Sequence, residues 1–177
     1  MKSKGFTLIE LLVVITIIGI LSAVLFLGRT KSEQMLALQR AAYQLAQDLR
    51  EMQEMAMAAK ETSCGTSNFG VYFHKISSPD SYLLFIDCNE NFHRDNPDNV
   101  LKEVKLENGV WISDLEVITV SSSVGKSQNS LDIVFLPPDP KIFIEKEGWD
   151  QEAVITLSFD SNQKKVKINS AGKIEIE

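Results

Sequence analysis

One carboxylate, Glu10, sits inside an otherwise apolar run, Gly5 to Ser22, that follows two lysines, Lys2 and Lys4. A carboxylate in hydrocarbon costs about 2.5–3.5 kcal/mol on insertion scales, so Glu10 needs a compensating cation, and the run holds none. That partner is expected on another chain. The remaining residues with chemical potential are few. Cys64 and Cys88 form an even pair, and Asp87, Asn89, Asn91, Asp95 and Asp98 imitate the oxygen-ligand spacing of a calcium loop. The imitation is poor, because Phe92 stands where such a loop needs glycine and no glutamate supplies the last bidentate ligand. An Asx-rich turn serving local backbone donors is the better reading, leaving Asp87, Asn89, Asn91 and Asp95 a weak calcium candidate. His74 and His93, the only histidines, lack a zinc-type spacing. Ser121 to Ser127 lacks the first glycine of a phosphate loop and reads as a flexible loop. With no nucleophile elbow and no paired carboxylates, the chain is expected not to be an enzyme and to need no cofactor.

The elements that must position these residues divide the 177-residue chain in two. From Phe6 to Leu27 the only polar side chains are Thr7, Glu10, Thr16 and Ser22, and at about 1.5 Å per residue the stretch can cross a hydrocarbon core of about 30 Å. With Lys2 and Lys4 ahead of it, the positive-inside rule keeps the N-terminus in the cytoplasm and sends everything after Leu27 to the other side, periplasmic or extracellular. A secretory signal peptide is the competing reading. Glu10 weakens it, and Ser22-Ala23, the best cleavage candidate, leads into more apolar residues. On the far, oxidising side a Cys64–Cys88 disulfide is expected, the alternative being two thiols too far apart to join.

Beyond the membrane, Leu38, Ala42, Leu45, Leu49, Met52, Ala56 and Ala59 recur at alternating spacings of four and three, which makes one amphipathic helix. No proline or glycine interrupts Arg29 to Glu61, so the spacing predicts a single helix of about 75 Å that stops near Thr62-Ser63-Cys64-Gly65. Its alanine-rich stripe suits packing against a sheet better than a coiled-coil seam. After Cys64 come alternating runs typical of strands: Gly70 to Ile76, Tyr82 to Asp87, Val100 to Leu106, Val110 to Val120, Leu131 to Leu136, Lys141 to Glu145, Ala153 to Phe159, Lys164 to Ile168 and Lys173 to Ile176. Turn signals such as Asn108-Gly109 and Ala171-Gly172 favour antiparallel hairpins. The expected fold class is α+β, a long N-terminal helix packed on an antiparallel β-sheet head. Net charge is −6, and loss of Lys2 and Lys4 would leave 16 basic against 24 acidic residues, or −8, which disfavours nucleic acid as a partner.

Lys4-Gly5-Phe6-Thr7-Leu8-Ile9-Glu10-Leu11-Leu12-Val13-Val14 resembles the signal of type IV prepilins and type II secretion pseudopilins. The resemblance implies that a prepilin peptidase cuts after Gly5 and methylates the new N-terminal Phe6. Glu10 would then neutralise the Phe6 amine of a neighbouring subunit during assembly. It divides the chain into a leader at 1–5, a transmembrane and filament-core helix at 6–28, an amphipathic helix at 29–62 and a β-rich head at 63–177. Many relatives carry a proline near the end of the apolar stretch, where this chain has Leu27-Gly28. The helix-then-strands layout and the closing strand pair around Ala171-Gly172 are similar to GspH/FimT-like minor pseudopilins and minor pilins. The implied function is a structural subunit of a type II secretion pseudopilus or a type IV pilus. Its implied partners are prepilin peptidase, other pilins or pseudopilins, the inner membrane and secreted exoproteins. A DNA-binding minor pilin of a competence pilus is the alternative; Lys164, Lys165, Lys167 and Lys173 cluster, but the tail alternates in sign and the head is acidic.

Overall fold

The computed structural model describes residues 5–65, 68–95, 98–119, 125–137, 141–145 and 151–177, with backbone alone at 25–30. The chain divides into two units, residues 1–36 and 37–177. One helix, α1 (Leu8–Met57), contributes to both. Gly19 and Gly28 both lie within it, so neither ends the helix.

In the first unit every described apolar side chain of α1 faces outward, from Leu8 at 83% exposure through Leu12 to Val24. No described stretch of helix is long and apolar enough by itself to cross a membrane. The apolar part whose side chains are described, Leu8 to Val24, is about 25 Å of helix, and Leu25 to Leu27 continue the apolar sequence.

The second unit is α+β. Its share of α1 buries Leu38, Ala41, Ala42, Leu45, Ala46, Leu49, Met52 and Ala56 in one core with residues of two sheets. Small alanines alternate with the leucines on this buried face. Tyr82 donates a 2.5 Å hydrogen bond to Asp48 Oδ2 within this buried contact, satisfying a carboxylate that would otherwise be costly to enclose. Burial, with Asp48 adding to it, pushes the Tyr82 hydroxyl far above its ordinary value, so it stays the donor.

The helix ends at Met57, earlier than the predicted stop near Thr62. Ala59 takes a left-handed φ of 45°, with Ala59 N–H bonded to Ala56 O and Lys60 N–H to Met55 O. This is a Schellman closure, normally marked by glycine. Alanine in that place left no terminator to read, and Ala59 is an exposed cap residue where the stripe predicted a core one. The Thr62–Gly65 signal belongs to a separate turn, closed by Gly65 N–H on Thr62 O.

Ten strands follow: β1 (Phe69–His74), β2 (Ser78–Ile86), β3 (Asn99–Lys105), β4 (Trp111–Thr119), β5 (Lys126–Gln128), β6 (Ser130–Leu136), β7 (Lys141–Ile144), β8 (Gln151–Phe159), β9 (Asn162–Asn169) and β10 (Ile174–Ile176). They make two antiparallel sheets, sheet A in the order β3-β2-β1-β6-β7 and sheet B in the order β10-β9-β8-β4-β5. Strand periodicity explains which side chains enter the core. Phe69, Val71 and Phe73 of β1 and Leu131, Ile133 and Phe135 of β6 belong to it, while the intervening residues take the other face of sheet A.

Two pairings, β1 with β6 and β4 with β8, join strands distant in sequence. They split the predicted hairpin series into two sheets. The predicted flexible loop at 121–127 is corrected in part: Lys126–Gln128 is strand β5, paired with Leu115–Val117, while residues 120–124 lie outside the described ones.

Candidate processing and assembly site

Thr7 begins α1 as its cap. Its Oγ1 accepts the Glu10 N–H at 3.3 Å and donates to Glu10 Oε2 at 3.5 Å. A threonine followed three residues later by glutamate is the capping-box spacing, which fixes the helix start and places the carboxylate in the first turn. Glu10 lies where the positive end of the helix dipole favours an anion. Among the described residues no cation pairs with it, and its side chain is exposed. Phe6, just outside the helix, is 80% exposed.

A Cβ added at Gly5 would meet nothing within 4 Å. The contrast with Gly70 is sharp, where a Cβ would fall 2.5 Å from two ring atoms of the buried Phe85. Gly70 is required by the chain's own packing. No such contact requires Gly5. Lys2 and Lys4 lie outside the described residues.

The head holds the other candidates. Cys64, in the turn region after α1, and Cys88, just after β2, are joined by a disulfide with their Cα atoms 5.6 Å apart. The bond ties the end of the helix region to the loop that carried the calcium candidate. In that loop the oxygens are used locally. Asp87 Oδ1 and Oδ2 accept the N–H groups of Asn91 and Phe92, and Asn89 Oδ1 also accepts from Asn91 N–H. Asn91 Oδ1 accepts the His93 N–H, and the Asp95 carboxylate receives Asn89 Nδ2 and Asn91 Nδ2. Asp98 closes the loop by accepting from the backbone of Cys88 and Asp95. Among the described residues no three His, Cys, Asp or Glu side chains form a metal-holding group. Burial raises the Asp87 carboxyl above its ordinary value, the Phe92 and Asn91 N–H groups opposing and Asp98 adding to the rise.

Three polar constellations were not singled out from the sequence. His93 Nδ1 lies 3.2 Å from Asp132 Oδ2, and Asp132 Oδ1 accepts the Arg94 N–H, which anchors the 88–95 loop on β6. An aspartate inside Ser130-Leu131-Asp132-Ile133-Val134 was the available signal. Lys75 Nζ donates to Asp114 Oδ1 and Ser127 Oγ, and Ser127 donates to the same carboxylate at 2.6 Å. This joins the β1–β2 turn of sheet A to β4 and β5 of sheet B. Burial opposes ionisation of Asp114, and the hydrogen bonds from Lys75, Ser127 and the Leu115 N–H prevail to hold its carboxyl below the ordinary value. The third constellation, Tyr82 with Asp48, anchors β2 to the helix.

With the cap, the exposed apolar turns and the unconstrained glycine in place, the comparison with known families concerns the first unit. Residues 1–26 match a prokaryotic N-terminal methylation motif. The N-terminus is therefore type IV prepilin-like. Such a motif implies processing by a prepilin peptidase and assembly with other pilins. No curated protein and no solved structure matches the chain.

Proposed function

We propose that this chain is a minor pseudopilin or minor pilin, similar to the GspH/FimT-like group, and acts as a structural subunit with no catalytic role. The observation that carries the reading is the methylation motif on a helix whose apolar side chains, Leu8 to Val24, are all without an internal partner. In this reading Phe6 to Leu27 holds the precursor in the inner membrane as a single span, with the head on the periplasmic side. The disulfide suits that oxidising compartment.

Cleavage after Gly5 leaves Phe6 with a new α-amine, which methylation keeps cationic. Glu10, one helical turn further on and without a cation among the described residues, is free to pair with that amine on a neighbouring subunit. The apolar turns that contacted lipid then contact other helices, so the exchange from bilayer to filament loses little hydrophobic burial.

The experiment is incorporation of Glu10→Ala into sheared filaments or purified pseudopili, with Glu10→Asp beside it. Losing one partner of a buried ion pair costs about 3–5 kcal/mol, so Glu10→Ala should fall by more than about tenfold while its membrane level stays normal. Glu10→Asp should recover part of the loss. Wild-type incorporation of Glu10→Ala would overturn the pairing.

A further inference from the structure

The outer face of sheet A is only partly covered. One cross-strand row runs Phe85, Gly70, Val134, Phe143 across β2, β1, β6 and β7, and the next runs Leu83, Tyr72, Asp132. The 88–95 loop lies over the β6–β7 side, with the Phe92 ring 4.7 Å from that of Phe143 and His93 and Arg94 bonded to Asp132. On the β2–β3 side the same face holds a recess of about 230 Å³ whose lining includes Tyr72, His74, Ser78, Ser81, Leu83 and Glu103. Register places Leu83 opposite both Tyr72 and Glu103, so aromatic ring, apolar floor and carboxylate stand in one row.

The polar groups here are uncommitted. Ser81 is only 4% exposed, yet its hydroxyl makes no hydrogen bond among the described residues. Neither does the Tyr72 hydroxyl, and the Glu103 carboxylate has no cation among those residues. His74 accepts the Ile76 and Ser77 N–H groups on Nδ1, at 3.3 and 2.9 Å, which places the proton of the neutral ring on Nε2. Together these groups offer acceptors and a carboxylate, held by β1, β2 and β3, that a donor from outside can meet.

Size and charge narrow what that is. The recess is smaller than the roughly 300–1,000 Å³ of sites for whole small molecules, and fits the end of one side chain. Glu103 is the only charged group of the lining. Lys105, opposite Ser81 in the register, is exposed and not part of it. Burial holds the Tyr72 hydroxyl above its ordinary value, with Asp132 and Glu145 acting in the same direction and Arg94 opposing, so the phenol stays protonated beside the Glu103 carboxylate. A planar cation with several donors answers all of this, pairing with Glu103, donating to the serine oxygens and lying on the Tyr72 ring.

We propose that this recess receives an arginine side chain of a partner protein. It is a surface separate from the N-terminal helix, and the assignment stands whether or not the filament reading holds. The test uses the full chain in detergent micelles, titrated with N-acetyl-arginine amide, its neutral citrulline counterpart and N-acetyl-lysine amide. Binding is followed by NMR at the Tyr72 ring and the Ser81 amide. The arginine compound should give saturable shifts at both positions, the lysine compound should bind more weakly, and the citrulline compound should not bind. Glu103→Gln should weaken arginine binding by about tenfold or more, with an unchanged melting temperature, since Glu103 is exposed on an edge strand. Ser81→Ala should weaken it less. Absence of saturable binding, equal binding of citrulline or lysine, or an unaffected Glu103→Gln would overturn the assignment.

Discussion

Residues of α1 before position 37 and residues after it belong to one helix but meet opposite surroundings. Leu12 and its neighbours are exposed along their whole run, while Leu38, Leu45 and Leu49 are fully buried. The glycines repeat the contrast, since Gly70 is demanded by the Phe85 ring and Gly5 by nothing among the described residues. The head's apolar residues are therefore explained by its own packing, whereas those of the first unit find no cover among the described residues. Glu10 is a charge capped by Thr7 within the helix and without a cation among the described residues.

The sharpest way to break this contrast is a matched pair of truncations. Leu45→Ala should destabilise the head by about 2–5 kcal/mol, the range for a buried leucine that leaves a cavity. Leu12→Ala should leave its melting unchanged, as read by near-ultraviolet circular dichroism of the full chain in detergent. Equal losses would show that the two halves of α1 are not energetically distinct.

Reduction of the disulfide, or Cys88→Ser, should cost the head about 3 kcal/mol by freeing a loop closed across 24 residues. Denaturant unfolding with and without reductant measures it. An unchanged midpoint would mean the Asx network alone holds the 88–98 loop.

A smaller effect distinguishes groups inside the head. Burial raises the Asp132 carboxyl above 3.8, with His93 and the Arg94 N–H opposing and Asp98 adding. The folded head thus holds this proton more tightly than the unfolded chain, and that contribution is complete below pH 3.8 and lost as pH rises through the raised value. Asp132→Asn does not titrate, so the melting temperature of wild type minus variant should fall as pH rises from about 4. A rising difference would reverse the sign and make Asp132 an ion-pair anchor first.

What was legible in the sequence follows the same division. Periodicity located the buried stripe of α1 and most of the strands, because both arise from local geometry: Leu38 to Ala56 at helical spacing, Phe69 to Phe73 at strand spacing. The pairing of β1 with β6 and β4 with β8 was not legible, since partners more than thirty residues apart leave no local pattern. Strand β5 was missed because Lys126-Ser127-Gln128 is too short and polar to alternate. Ala59 hid the helix end by doing a glycine's work. At the N-terminus the order is reversed: Gly5, Phe6 and Glu10 were prominent as a pattern, while the fold supplies only the Thr7 cap and the outward exposure around it. The recess under Tyr72 and Glu103 was invisible because its residues come from three strands and have no shared spacing.

Under the proposed function, the first unit is shaped by processing and assembly. Mass spectrometry of the N-terminal peptide, from protein isolated from its native membranes, tests it most directly. The expected result is a peptide beginning at Phe6 and carrying one methyl group on its α-amine. A mature chain beginning at Ala23, as removal of a secretory signal peptide would leave, or one still beginning at Met1, would contradict it.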